Sequence, residues 1–330
     1  MSNIETRNNS ERLGSNLGTP PEESPESSSS FIVPDPVAKN PALSQLDIMN
    51  KMLSLTCMEE LIKIPSRGRF YPAGHPFASR EDIYINVMTS KEQDILSSKV
   101  KWQENKVFES LLVSLLKDRV DPGTILSGDR MAIFAAARIT LKHTYETNGM
   151  CPICRTITHQ VFNLTEALDA AFEELRVKEE NMKPFEMGAI SKGGSIDTFI
   201  TELPATKMLA EFRLLYGIHE DMLMKKKAKT DADIARAKTA EEKSSIKETD
   251  LTDILKVMVV SLSLPSGEKT SEPGVLAKII ERLPGRDTVY LQEMYKYVAP
   301  ELQLQEIKCC PKCLQSTHWG IPYTDFFRPS

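Results

Sequence analysis

Cysteine is the residue whose type and spacing carry chemistry in this chain. MCPICRTITHQ (Met150–Gln160) and KCCPKCLQSTHWG (Lys308–Gly320) each hold Cys-Pro-x-Cys, and each is followed five residues later by His. Two residues between paired cysteines let both thiolates reach one metal ion, and proline stiffens the turn between them. Cys151, Cys154, Cys310 and Cys313 supply four sulfurs, the complement of a closed tetrahedral zinc site with one structural ion per chain. Closing a loop this long costs about 4–5 kcal/mol. Structural zinc contributes on the order of 10–16 kcal/mol, so the metal wins. Four thiolates fill the shell, which places His159 and His318 on hairpin strands and not on the ion. A closed shell also has no open position for water or substrate, so its role is architecture.

The elements that must position the two knuckles are legible around them. Thr144–Thr147 with Thr158–Phe162, and LQLQEIKC with STHWGIPY, read as two hairpins that share a metal in a split zinc ribbon. An insertion of roughly Leu164–Pro300 separates the halves and reads as mainly helical. Within it KGGSIDTFITELP suggests a turn and a short strand, and Ile218–Leu264 contains no Gly or Pro and allows one long helix or two. The expected organisation is an arm at 1–43, an α+β domain at 44–143, a first ribbon half at 144–163, the helical insertion at 164–300, and a second half with tail at 301–330. The expected fold class is therefore α+β, mostly helical.

Local patterns set the smaller expectations. Residues 1–43, centred on GTPPEESPESSSS, are too poor in apolar residues to offset chain entropy and read as disordered. EDIYINVMT alternates like a half-buried strand, and Ser90-x-x-Gln93 spells a capping box. NKVFESLLVSLLK sets Val107, Leu111, Leu112, Leu115 and Leu116 on one core face. Asp129 is expected to cap the helix MAIFAAARITLKHTY, and Arg138 to serve structurally. IPSRGRFYPAGHPF is a shaped loop in which Gly68 permits a turn. Arg67, Arg69, Phe70 and Tyr71 give it a basic-aromatic surface suited to a partner contact. Cys57 is expected to be buried, and Cys309 to yield to Cys310 as ligand.

The 330 residues carry 41 Lys and Arg against 46 Asp and Glu, a formal charge of −5 that disfavours a general nucleic-acid coat. Six cysteines, four of them in the knuckles, fit metal binding in a reducing compartment. No stretch reaches membrane-spanning length: ILKVMVVSLSL is too short, contains Lys256 and stops at Pro265. The start MSNIETRNNSERLG lacks the apolar run of a secretory signal. HExxH, the phosphate-binding GxxxxGK[ST] and the dinucleotide glycine fingerprint are absent, so no catalytic residues, organic cofactor or small-molecule substrate are expected.

IPSRGRFYP (Ile64–Pro72), INVMTSKEQDIL (Ile85–Leu96), VDPGTILSGDRMAIFAAARITLKHTYE (Val120–Glu146), CPIC, CPKC and the terminal YTDFF (Tyr323–Phe327) follow one another in an order that resembles a known family. It is the baseplate-hub assembly protein family of T-even-like contractile-tailed bacteriophages. The resemblance runs over Met58–Cys154 and resumes in the last thirty residues or so. It implies a non-enzymatic role in virion morphogenesis, with other baseplate or tail hub proteins as partners. It also implies action in the host cytoplasm during assembly, with retention in the virion tail baseplate open. The disordered arm and the charged insertion depart from shorter family members. The alternative from another class is a zinc-ribbon nucleic-acid-binding regulator, supported by KKKAK (Lys225–Lys229) and the Arg67/Arg69 loop.

Overall fold

The computed structural model describes residues 44–104, 106–117, 119–181, 188–237, 239, 249–321 and 326–327. The arm expected at 1–43 lies outside the described residues. Helix α1 (Gln45–Thr56) has no buried residue. Leu53–Ser330 form one unit by internal contacts, and all the described strands belong to it.

Strands β1 (Glu59–Lys63) and β2 (Asp82–Asn86) pair antiparallel, with Ile62 opposite Ile83 and Lys63 opposite Asp82. Ile83 and Ile85 are buried, as the alternation requires. The loop between the strands is the Pro- and Gly-rich segment. Helices α2 (Ser90–Ser97), α3 (Lys99–Gln103), α4 (Val107–Leu115) and α5 (Ser127–Leu141) follow. All five residues of the expected α4 face are buried. The capping box at α2 is Thr89 with Glu92, one residue earlier than Ser90 with Gln93. Thr89 has the extended backbone a cap needs, and Glu92 returns its carboxylate to the Thr89 N–H.

Hairpin β3 (Thr144–Met150) and β4 (Ile157–Asn163) leads directly into α6 (Leu164–Glu180), where Asn163 caps the first turn. The segment expected to be mainly helical then turns out to be mixed. It builds a five-stranded antiparallel sheet from β5 (Ile190–Lys192), β6 (Thr198–Glu202), β7 (Leu209–Arg213), β8 (Val259–Ser263) and β9 (Lys269–Thr270), in that spatial order. Between β7 and β8 run α7 (Gly217–Arg236) and α8 (Asp250–Met258). Chain order therefore hides the sheet: β7 and β8 are neighbours in space but far apart in sequence. At Val259 the helix gives way to strand β8, with Val259, Ser261 and Leu262 buried. Buried Glu211 accepts hydrogen bonds from the Ser261 hydroxyl, the Gly194 N–H and Lys269, which ties the glycine turn of KGGS to the sheet. Helices α9 (Pro273–Ile280) and α10 (Gly285–Val298) precede the second hairpin, β10 (Gln305–Cys309) and β11 (Ser316–Gly320). The fold is thus mixed helix and sheet. Among the described residues, no helix is long and apolar enough to cross a membrane.

Candidate metal centre

Each knuckle is closed by the same pair of backbone bonds. In the first, the Cys151 N–H donates to Thr156 O (3.0 Å) and the Arg155 N–H to Cys151 O (2.9 Å). In the second, the Cys310 N–H donates to Gln315 O (3.0 Å) and the Leu314 N–H to Cys310 O (2.9 Å). The residue after each second cysteine is left-handed, with φ of 56° at Arg155 and 57° at Leu314. A non-glycine residue adopts that conformation at a cost of about 1–2 kcal/mol, and here both copies do so at the same step.

The hairpins bring first cysteine to second cysteine across the chain. Cys151 Sγ lies 3.9 Å from Cys313 Sγ, and Cys154 Sγ lies 3.8 Å from Cys310 Sγ. All four sulfurs fall within 4.8 Å of one another, with Cys151 and Cys310 buried. A metal–sulfur bond of about 2.3 Å in a tetrahedron requires sulfur–sulfur edges of about 3.8 Å, so the cage fits a four-coordinate ion. The spacing is also far beyond a disulfide bond of about 2 Å. Hydrogen bonds from the Thr156 hydroxyl and N–H lower the Cys154 thiol to about 6, and backbone N–H donors lower Cys310. At Cys313 the hydrogen bond from Gln315 acts downward, but burial and the neighbouring sulfurs outweigh it and push the thiol up to about 11. Thiolates crowded this closely repel one another, and a divalent cation at their centre would remove the conflict.

Packing behind the knuckles holds the two hairpins together. Trp319 is buried against Gly149, where a Cβ would stand 3.0 Å from the indole ring, tighter than side chains ordinarily pack. The Asn163 N–H donates to Glu306 Oε2 (3.2 Å), and Lys308 Nζ sits 5.4 Å from the Phe162 ring centroid. Phe326 and Phe327 of the terminal aromatic motif are tucked inside, Phe326 on Tyr145 at 5.2 Å and Phe327 on Phe134 at 6.3 Å. Tyr323, Thr324 and Asp325 lie outside the described residues.

His159 and His318 lie on hairpin strands opposite Asn148 and Ile307, exposed and apart from the sulfur cluster. Cys309 is exposed at the end of β10. Cys57, expected inside, is also exposed: it follows α1, no residue of which is buried.

The loop of Arg67, Arg69, Phe70 and Tyr71 is only partly the surface its composition suggested. Tyr71 is 2% exposed and does not present its ring to a partner. Its hydroxyl donates to Asp129 Oδ2 (2.6 Å) and accepts from the Leu126 N–H (3.0 Å), while its ring stacks on His75 at 4.3 Å. Phe70 is half-buried, edge-on to Phe199 at 6.0 Å. Arg67 and Arg69 are exposed, and both pair with Glu179 on α6. Gly68 has φ of 66°, and a Cβ there would lie 2.3 Å from Phe77 O, so no other residue fits.

Asp129 is the residue whose role the sequence concealed. It is not the cap of α5, which begins at Ser127 after Leu126. Its fully buried carboxylate accepts from the Ser66 N–H (2.9 Å), the Ser66 hydroxyl (2.6 Å) and Tyr71, and burial raises it to about 6. Next to it Arg130, 2% exposed, faces Glu220 at 3.4 Å and Asp221 at 3.3 Å on α7. Arg138 donates to the carbonyls of Lys142 (2.7 Å) and Thr144 (3.4 Å), closing the end of α5. In the KKKAK run, Lys226 pairs with Asp253 and Lys227 with Asp250.

The centre and fold define a mixed helix-and-sheet protein with a four-cysteine cage able to hold a metal. Compared with models of known families, with curated proteins and with solved structures, the chain matches none.

Proposed function

We propose that this chain is a tail baseplate-hub assembly or hub protein of a T-even-like contractile-tailed phage. It acts through protein contacts and is stabilised by one structural zinc ion. The observation that carries the reading is that the segments bearing the resemblance meet in space. Ser66 and Tyr71 of IPSRGRFYP close on Asp129 of SGDRMAIF, and CPIC closes on CPKC. Motifs in physical contact support descent of one folded unit over coincidence of short strings.

Zinc is the ion favoured by four thiolates in a tetrahedral cage, and a split zinc ribbon is the architecture such a centre would complete. The ion would hold the C-terminal hairpin to the first and supply no open coordination position, which agrees with a non-enzymatic role. Action in the host cytoplasm accords with thiols that must stay reduced to bind metal. Mass spectrometry of purified virions beside infected-cell lysate, with affinity capture of the tagged chain, tests the reading. Capture of tail hub proteins is expected. Recovery of nucleic acid without tail proteins would replace it with the regulator alternative.

A further inference from the structure

An open groove of about 740 Å³ lies beside the β1–β2 hairpin and helices α2 to α4. Met58, Val87, Ile95 and Val113 give it an apolar lining, and Asn86, Ser110 and Ser114 add polar wall. Its charge is the reverse of the chain's: Lys91, Lys101, Lys106 and Lys117 line it against Glu92 and Glu109. Glu92 is buried and accepts from Thr89 and Ser114, and the lining as a whole sets four lysines against two carboxylates. Lys106 and Lys117 pair with Glu104 and Glu59, which are outside the groove lining, and their side chains stay 57% and 42% exposed. Lys101 donates to the Ser110 hydroxyl (2.9 Å). Lys91 has no carboxylate partner among the described residues.

We propose that this groove docks an acidic amphipathic segment of a partner protein. Apolar side chains of the segment would cover the Met58–Val113 lining while its carboxylates meet the lysines. A peptide fits better than nucleic acid because the lining contains no aromatic ring for base stacking and no arginine for bidentate phosphate contact. The inference rests on the proposed function only in taking the partner to be a protein.

The test uses the full chain and fluorescence anisotropy with labelled peptides of about 18 residues, a length that gives about five helical turns. One peptide is a Glu/Leu amphipath and the control is its Lys/Leu counterpart. Saturable binding of the acidic peptide is expected, weakening as salt is raised and falling at least about tenfold in Lys91→Glu/Lys106→Glu. Both substitutions are at exposed positions, and an unchanged melting curve would verify the fold. Equal binding by the variant overturns the proposal, as does tighter binding of a single-stranded DNA oligomer. Preferential binding of a peptide spanning residues 20–43 would assign the groove to the chain's own N-terminal segment. Self-association abolished by the same variant would assign it to a second copy. None of these outcomes depends on phage proteins, so failure here leaves the hub reading to its own experiment.

Discussion

Removing one sulfur from the cage tests the metal centre most directly. Cys154 and Cys310 are 156 positions apart, and tying such a loop costs about 5 kcal/mol of chain entropy. Structural zinc contributes on the order of 10–16 kcal/mol, so at least about 5 kcal/mol of folded-state stability would depend on a bound ion. A chain of this length loses about 2 °C of Tm per kcal/mol, which gives a drop of about 10 °C for Cys151→Ser. Cys313→Ser should do the same, because Cys313 stands across the same cage 3.9 Å away. The double variant should lose little more than either single, since the first substitution already opens the shell. Calorimetry with metal analysis reads the cycle: one zinc per wild-type chain, and weakened or absent binding in each variant. Trp319, buried between the hairpins, should shift its emission to the red when chelator strips the ion. Losses that add in the double variant would refute a shared site, and a metal-stripped wild type with unchanged Tm would refute the centre itself.

Asp129 and Glu211 should give pH dependences of opposite sign. Burial raises Asp129 to about 6, so its contribution is fullest below the ordinary carboxylate range and is lost as pH rises through about 6; Asp129→Asn should abolish a slope worth roughly 3 kcal/mol in chemical denaturation between pH 4 and 7. Hydrogen bonds from Lys269 and the Gly194 N–H hold Glu211 down to about 2, so its contribution is present above the ordinary range and lost as pH falls through about 2; Glu211→Gln should lower stability at pH 7 and flatten that acid limb. Gly68→Ala should cost more than about 2 kcal/mol, combining the left-handed backbone with the collision at Phe77 O, and thermal melts will show whether the loop can yield.

Short-range chemistry made the four-cysteine cage legible. Two thiols separated by two residues can reach one ion from a single tight turn, and the repeat of CPxC told which cysteines to pair. The α4 face and the alternation of Ile83 with Ile85 were legible for the same reason, since period and burial are set within a few residues. Only tertiary structure decided the sheet inside the expected helical insertion. Its central pair β7–β8 joins segments some fifty residues apart, and Glu211 meets Ser261 through a register no local pattern specifies. The same holds for Tyr71, which composition placed on the surface and a carboxylate 58 positions away drew inside. Lys91, Lys101, Lys106 and Lys117 are unremarkable in sequence, each an ordinary charge in a helix or at its end. They become one groove because α4 packs on β2 and α2 packs on α4, and burial of apolar faces, not the lysines, drives that packing.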